Sequence, residues 1–196
     1  MFNSHRQHGM TLIELIVFIV IVSVALVGVL TVLNVTAKSS SDPLIRKQML
    51  AIAEALLEEV ELQPFTWCDP TDANVTTAVN FGGCATITEG FGVSGLEAGQ
   101  TRTSATTPFN NVNDYNGCGP GVAACNLAGP IPSISGTTSA AAGYSATITI
   151  AAATLNGIGG ASTASPTLRI AVTVTRGTDS IVLEGYRTRH SPNFIP

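Results

Sequence analysis

The sequence predicts an α+β protein in which a long N-terminal helix, membrane-spanning in its first half, is followed by a β-rich domain with disulfide-closed loops. Three observations lead to this prediction. Residues 15–37 carry no charge, residues 43–63 repeat apolar side chains at helical spacing, and the rest of the chain is rich in Gly, Thr, Ser and Ala and holds all four cysteines. A helix followed by a run of short strands is typical of the α+β class.

The composition argues against several classes of function. The chain has 196 residues, which allows one globular domain of ordinary size. Because 45% of the residues are hydrophobic and only 11% are charged, disorder over the whole length is not expected. Nine Lys and Arg residues oppose 13 Asp and Glu residues, for a net charge of −4, and this balance excludes a soluble basic protein that binds nucleic acid.

The segment from Leu15 to Leu33 is almost wholly apolar. Its mild interruptions are Ser23, Gly28 and Thr31. As a helix, the uncharged stretch would be about 35 Å long, enough to cross the hydrocarbon core of a bilayer. A buried helix of a soluble protein is one alternative. A cleaved secretory signal is the other, but the apolar stretch is longer than in such signals and the following NVTAKSSSDP is a poor cleavage site.

A carboxylate, Glu14, stands at the start of the apolar stretch, where an unpaired charge beside hydrocarbon is unfavourable and needs a partner. It belongs to the run Gly9-Met10-Thr11-Leu12-Ile13-Glu14-Leu15, which follows a short polar leader. The leader, this run and the long apolar helix together resemble the processing signature of type IV prepilins and of type II secretion pseudopilins.

This resemblance implies a series of processing and assembly steps. A prepilin peptidase would cleave between Gly9 and Met10 and methylate the new amino terminus at Met10. The implied partners are this peptidase, the inner membrane and other pilin subunits, which contact one another through the N-terminal helix. The implied division of the chain is a cleaved leader at 1–9, a transmembrane and filament-core helix at 10–37, an amphipathic outer half of the helix at 38–63 and an extracytoplasmic β-rich domain at 64–196.

Glu14 has a physical role in this scheme. The amine of Met10 would lie four residues before Glu14, on the same face of the helix. In staggered helices the amine of one subunit would pair with Glu14 of the next, so that transfer from lipid to filament exchanges an unpaired carboxylate for a paired one. Since breaking a buried pair typically costs about 3–5 kcal/mol, we expect Glu14 to be the assembly carboxylate. A solvated Glu at a helix end is the alternative.

The charges beside the apolar stretch do not fix its orientation. The leader has Arg6 as its one Lys or Arg, whereas family leaders are usually basic, and three basic residues follow the stretch, namely Lys38, Arg46 and Lys47. The positive-inside count is therefore weak. The resemblance and the cysteines together imply a single-pass protein of the inner membrane with a periplasmic domain, which later joins a pilus on the cell surface.

The segment Ser39-Ser40-Ser41-Asp42-Pro43 predicts a break in the helix and a restart, in which Ser41 or Asp42 caps a helix whose first position is Pro43. The following apolar spacing predicts an amphipathic helix that ends near Gln63, before Pro64. The apolar residues are Ile45, Met49, Ile52, Leu56 and Val60. The resemblance implies that this half packs on a β-sheet, and a coiled-coil seam is the alternative.

The clearest β element is a hairpin near the carboxyl end. Residues 168–174 alternate apolar and polar side chains, residues 176–179 have the composition of a turn, and residues 181–188 return. Another strand is predicted from Tyr144 to Ile150. The long segment before the hairpin, from residue 65 to residue 166, has the Gly, Thr, Ser, Ala and Asn content of turns and short strands.

All four cysteines, Cys68, Cys84, Cys118 and Cys125, lie in this turn-rich segment. An even number of cysteines in a domain outside the cytoplasm predicts two disulfides. Of the three possible connectivities, proximity along the chain favours Cys68 with Cys84 and Cys118 with Cys125, although the sequence leaves the pairing open. A zinc site is the alternative, but the chain has no CxxC pair and no suitably placed histidine.

We predict no enzymatic activity and no cofactor. After cleavage His190 is the single histidine, and no Ser/His/Asp or Cys/His set can be assembled around it. The run from Gly117 to Gly121 lacks the Lys-Ser/Thr of a phosphate loop. Two groups of oxygen-bearing side chains are candidates for calcium, although neither has the calcium-loop spacing and such residues usually make turns. The groups are Asp69, Asp72 and Asn74, and Asn110, Asn111, Asn113, Asp114 and Asn116.

Two shorter segments resemble one group of minor pilins. Residues 63–70, Gln-Pro-Phe-Thr-Trp-Cys-Asp-Pro, and residues 113–117, Asn-Asp-Tyr-Asn-Gly, are similar to the D-type minor pilin of the mannose-sensitive haemagglutinin (MSHA) pilus. This resemblance implies a low-copy subunit that helps to initiate, cap or decorate a filament used in attachment. A type II secretion pseudopilin and an adhesive or calcium-binding module at the pilus tip are the alternatives. The sequence leaves the ligand and the position of the subunit open.

Overall fold

The computed structural model describes residues 11–90, 99–136, 142–162, 164–190 and 193 of the chain. Residues 1–45 and 46–196 form two compact units. Within the described residues one long α-helix is followed by two 3-10 helices and six strands. In chain order these are α1 (Leu12–Glu61), the 3-10 helices Phe81–Gly83 and Val112–Tyr115, β1 (Ala128–Gly129), β2 (Tyr144–Ala152), β3 (Thr154–Leu155), β4 (Ile158–Gly159), β5 (Thr167–Arg176) and β6 (Asp179–Thr188).

Helix α1 runs through Pro43, so the predicted break and restart at residues 39–43 are wrong. A proline inside a helix removes one amide donor and crowds the carbonyl four residues earlier. The apolar residues before this point and the amphipathic residues after it both favour helix, and helix formation is cooperative, so the helix continues across the missing hydrogen bond. Ser41 and Asp42 therefore lie inside α1 and not at a helix start.

The outer half of α1 buries the face that the apolar spacing predicts. The five predicted apolar residues, Ile45, Met49, Ile52, Leu56 and Val60, are all buried or half-buried, and Ala53 is buried beside them. The same half lies against β6, where the ends of the Leu57 and Glu61 side chains lie over Gly185. The expected packing of the helix on a β-sheet is thus confirmed, and α1 ends at Glu61, close to the predicted Gln63.

The main sheet has the strand order β1-β2-β5-β6, and every neighbouring pair is antiparallel. The predicted hairpin is confirmed: Arg176 pairs with Asp179 across a tight turn, and β5 pairs with β6 along its whole length. Strand β2 begins at the predicted Tyr144 and continues beyond Ile150 to Ala152. The buried apolar residues of the two central strands are Tyr144, Ala146, Ile148, Ile150, Leu168, Ile170, Val172 and Val174.

A second sheet, formed by β3 and β4, was not predicted. Its turn consists of Asn156 and Gly157, which have positive φ angles of 49° and 83°. Asn-Gly is favoured in tight hairpin turns because both turn residues need a left-handed backbone. The sequence signal is therefore present, but the two strands beside it are too short to show an alternating pattern.

Candidate assembly site

Glu14 lies in the first turn of α1, at the edge of the apolar segment. Its backbone amide is 3.4 Å from the hydroxyl oxygen of Thr11, and the amide of Leu15 donates to the Thr11 carbonyl at 3.2 Å. Thr11 thus occupies the capping position, and a negative charge in the first turn is favoured by the helix dipole. Gly9 and Met10, the predicted cleavage and methylation site, lie outside the described residues.

One helical segment in the described part of the chain, Leu12–Thr36, is long and apolar enough to cross a membrane. Its large apolar side chains are exposed. The hydroxyls of Ser23, Thr31 and Thr36 each donate to the carbonyl four residues earlier, at 2.7–2.9 Å. Because a hydroxyl satisfied within its own helix is tolerated beside hydrocarbon, these three residues are compatible with a membrane span.

The carboxylate of Asp72 organises the backbone around the first disulfide. It accepts hydrogen bonds at 2.7–3.0 Å from the amides of Asn74, Ala85, Thr86 and Ile87. These bonds, above all the one from Ile87, hold the pKa of Asp72 far below its usual range. Asp72 therefore joins the two ends of its loop.

The other residues of the first candidate calcium group also serve the loop. Asp69 accepts hydrogen bonds from the amide of Thr71, at 2.6 Å, and from its hydroxyl. The side chain of Asn74 donates to the carbonyl of Gly83 at 2.9 Å. These contacts are those of polar residues that stabilise turns.

The asparagine-rich segment has a similar role. Asn111 caps the 3-10 helix Val112–Tyr115, because its side chain accepts from the amide of Asn113 while Asp114 accepts from the Asn111 amide. The side-chain oxygen of Asn116 accepts from the amide of Ile150 at 3.0 Å. The segment is thereby attached to β2.

The two disulfides are Cys68–Cys84 and Cys118–Cys125, the pairs that proximity along the chain favours. Their Cα atoms are 5.4 and 5.5 Å apart, which is ordinary disulfide geometry. In the described part of the chain, no group of three or more His, Cys, Asp or Glu side chains could hold a metal ion. The hydrogen bonds of the Asp and Asn residues favour the turn interpretation over a calcium site.

A buried ion pair that the sequence analysis missed connects α1 to a later loop. Arg102, only 2% exposed, donates from Nε and Nη2 to the two carboxylate oxygens of Glu59, both at 2.7 Å, and from Nη1 to the Pro132 carbonyl at 2.9 Å. The hydroxyl of Tyr115 donates to Glu59 at 3.0 Å, and burial, followed by the charge of Glu59, raises the pKa of Tyr115. One signal is present in the sequence, since Arg102 is the single Lys or Arg within residues 48–168.

Arg189 follows β6 and lies in a box of aromatic rings, which the sequence analysis also missed. Its guanidinium carbon is 3.9 Å from the ring centroids of both Phe65 and Trp67 and 5.4 Å from that of Phe81. The attraction between a guanidinium and aromatic faces favours this arrangement, while burial lowers the pKa of Arg189 to about 10. The box joins the end of the main sheet to the first disulfide loop.

Neither of the remaining chemical candidates forms a catalytic arrangement in the described part of the chain. His190 is exposed, and its Nδ1 atom lies 3.4 Å from the Thr188 carbonyl oxygen. Gly117, at the start of the glycine-rich run, donates its amide to the carbonyl of Ile148 in β2. That run therefore belongs to the turn around the second disulfide.

A family model described as the prokaryotic N-terminal methylation motif matches residues 4–30. Neither a curated protein nor a solved structure matches the chain. The matched residues include Gly9, Met10, Glu14 and the start of the apolar helix. With its long N-terminal helix, antiparallel sheet and two disulfides, the chain has an α+β fold that is consistent with that of type IV pilins. The motif supports a type IV pilin-like or prepilin-like protein.

Proposed function

We propose that this chain is a minor pilin of an MSHA-like type IV pilus, which helps to initiate, cap or decorate a filament used in surface attachment. The observation that carries the proposal is the methylation motif at residues 4–30, which overlaps the exposed apolar helix. The motif implies processing by a prepilin peptidase and assembly with other subunits. A filament subunit needs no catalytic residue.

The proposed processing begins with cleavage between Gly9 and Met10, followed by methylation of the new amine at Met10. If the helix extends to the new terminus, that amine would lie about one helical turn before Glu14. Glu14 makes no salt bridge with any other described residue. A methylated amine of a neighbouring subunit would supply the missing positive charge as the helix leaves the lipid for the filament, because a carboxylate in an apolar environment is stable only when it is paired.

The two segments that resemble the MSHA minor pilin lie close together in the fold, and this proximity supports the finer proposal. Pro64, at the end of the helix, accepts a hydrogen bond from the amide of Val112 at 3.1 Å. Thr66 accepts one from the side chain of Asn111 at 3.0 Å, and Gln63 lies 3.5 Å from the hydroxyl of Tyr115. Gln63 and Tyr115 belong to the two similar segments themselves, whereas Asn111 and Val112 come just before the second one. The two short similarities therefore lie next to each other in the fold, with Thr66 and Tyr115 buried.

The proposed location is the inner membrane before assembly and the pilus afterwards, with the domain in the periplasm. Two disulfides support an oxidising compartment, since structural disulfides are rare in the cytosol. The apolar segment supports anchoring by a single helix.

The first test is the intact mass and N-terminal sequence of the protein recovered from sheared surface filaments and from membranes, with and without the prepilin peptidase. We expect a chain that begins with methylated Met10 and is present in the filament fraction. A chain that begins at Met10 but never leaves the membrane would contradict the minor-pilin proposal and favour a type II secretion pseudopilin. A retained leader would contradict the processing proposal itself.

The second test addresses Glu14. We expect Glu14→Gln to be cleaved and inserted normally but to be at least tenfold depleted in sheared filaments, because the neutral amide cannot pair with an amine. Glu54→Gln is the matched control, since Glu54 is an exposed carboxylate on the outer half of the same helix. Equal incorporation of the two variants would remove the proposed role of Glu14.

A further inference from the structure

The chain contains two Asn-Gly sequences, and they lie in different surroundings in the fold. Asn116-Gly117 precedes the second disulfide, whereas Asn156-Gly157 forms the turn between β3 and β4. We propose that Asn156 is a site of spontaneous covalent modification, at which the side-chain amide is lost through attack by the backbone nitrogen of Gly157. This inference is independent of which filament the chain serves.

The surroundings of Asn156 leave both reacting groups accessible. Asn156 and Gly157 are exposed, and a Cβ atom built on Gly157 would meet nothing within 4 Å. Across the residues that the structure describes, no hydrogen bond holds the Asn156 side chain or the Gly157 amide. Glycine also lacks the side chain that would shield its own nitrogen from the neighbouring carboxamide.

The reaction balances with water as the only co-reactant. The Gly157 nitrogen gives up its proton and bonds to Cγ of Asn156, while the bond from Cγ to the side-chain nitrogen breaks and ammonia leaves. Water then opens the resulting five-membered imide at one of its two carbonyls. Opening at one carbonyl gives aspartate, and opening at the other gives isoaspartate, in which the main chain passes through the former side chain. No atom is oxidised or reduced.

Asn116-Gly117 provides a control within the same molecule. The side-chain oxygen of Asn116 accepts a hydrogen bond from the amide of Ile150 at 3.0 Å, and the amide of Gly117 donates to the Ile148 carbonyl at 3.1 Å. Attack by Gly117 requires both bonds to break. Two hydrogen bonds of ordinary strength correspond to a rate about thirtyfold lower.

The reaction products add a negative charge to the turn, and isoaspartate also lengthens its main chain. Loss of the amide takes the net charge of the chain from −4 to −5. The new carboxylate belongs to the turn that connects the exposed residues Leu155 and Ile158. Isoaspartate in addition lengthens the main chain within the tight turn. Since β3 and β4 pair through only Thr154–Gly159 and Leu155–Ile158, we expect this hairpin to lose its pairing.

The test is peptide mapping by mass spectrometry of the full chain in detergent micelles, incubated in mildly alkaline buffer, with isoaspartate distinguished by its backbone fragmentation. We expect the peptide with Asn156 to acquire both products at least tenfold faster than the peptide with Asn116. A urea-denatured sample should lose this difference. Asn156→Gln, which keeps an amide but closes a larger ring, should remain unmodified at position 156.

Equal rates at the two sites in the folded protein would overturn the inference. So would an Asn156 that is stable in the folded chain while it reacts in urea, because the turn would then protect the amide. Asn156→Asp gives the mass and retention time of one product and separates it from isoaspartate.

Discussion

Replacement of Arg102 by methionine tests whether the buried pair with Glu59 holds α1 to the domain. The change keeps an unbranched apolar chain but removes the three donors that reach Glu59 and the Pro132 carbonyl. Glu59 then keeps the Tyr115 hydroxyl as a partner but loses its counter-charge.

The expected loss is large because both members of the pair are buried, with side-chain exposures of 2% for Arg102 and 12% for Glu59. Removing one member of a buried pair typically costs about 3–5 kcal/mol. The matched control is Arg169→Met, which breaks the Arg169–Glu184 pair at 3.3 Å, where the side chains are 47% and 44% exposed. A surface pair of this kind contributes about 0–1 kcal/mol.

The assay is equilibrium unfolding of the full chain in detergent micelles, followed by the fluorescence of Trp67, which is the single tryptophan. We expect Arg102→Met to lose at least threefold more free energy of unfolding than Arg169→Met. The double variant Glu59→Leu with Arg102→Met should recover much of the stability, since it leaves no buried charge.

Equal losses for Arg102→Met and Arg169→Met would refute this reasoning. A double variant as unstable as Arg102→Met would refute it as well, because the loss would then come from packing and not from an unpaired carboxylate.

Three further predictions concern other contacts. Asp72→Asn should destabilise the fold most at neutral pH. The pKa of Asp72 is lower in the folded chain than in the unfolded chain, so its carboxylate stabilises the fold above the ordinary carboxyl pKa and loses this effect as the pH falls below that value. Urea unfolding at a series of pH values checks this, and a pH-independent difference would contradict it. Gly159→Ala should cost about 1–3 kcal/mol in the same assay, because its Cβ atom would meet the backbone carbonyl of Ala153 and its φ is +98°, whereas Gly160→Ala, which meets nothing within 4 Å, is the control and should be near neutral. Arg189→Lys should shift the emission of Trp67, because an ammonium group does not stack as a planar guanidinium does, while Arg169→Lys at the exposed pair should leave the emission unchanged.

Features that depend on neighbouring residues in the chain were predictable. The β5–β6 hairpin follows from alternation on both sides of a turn. The disulfide pairs are those that proximity favoured, although the sequence left the connectivity open. The continuity of α1 through Pro43 was not predictable from local rules, because a cap signal and a proline both favour a break there. The tertiary packing of the outer half and the length of the apolar half together favour a continuous helix through Pro43.

Contacts between distant segments were beyond the sequence analysis. Glu59 and Arg102 are 43 residues apart, and helical spacing alone places Glu59 only near the edge of the buried face. Asp72 and the Asn-rich segment were noted as candidate cation ligands because they carry oxygen atoms. Their actual donors are backbone amides, and the sequence does not show which amides a folded loop will present to a carboxylate.

Glu59 and Glu14 both need a positive charge as a partner, and they obtain it in different ways. Both carboxylates belong to α1, and both lie among apolar residues, Glu59 at the protein core and Glu14 at the edge of the apolar span. Glu59 is neutralised within its own chain by Arg102, whereas Glu14 makes no salt bridge with another described residue. Since an uncompensated carboxylate in an apolar environment is unfavourable, we propose that Glu14 obtains its counter-charge from a second subunit. On this reasoning Glu59 stabilises the domain before assembly and Glu14 contributes mainly afterwards. Glu14→Gln should therefore change the unfolding free energy of the isolated chain by no more than the roughly 0.3–1 kcal/mol of a helix-dipole contact, while it strongly reduces incorporation into filaments.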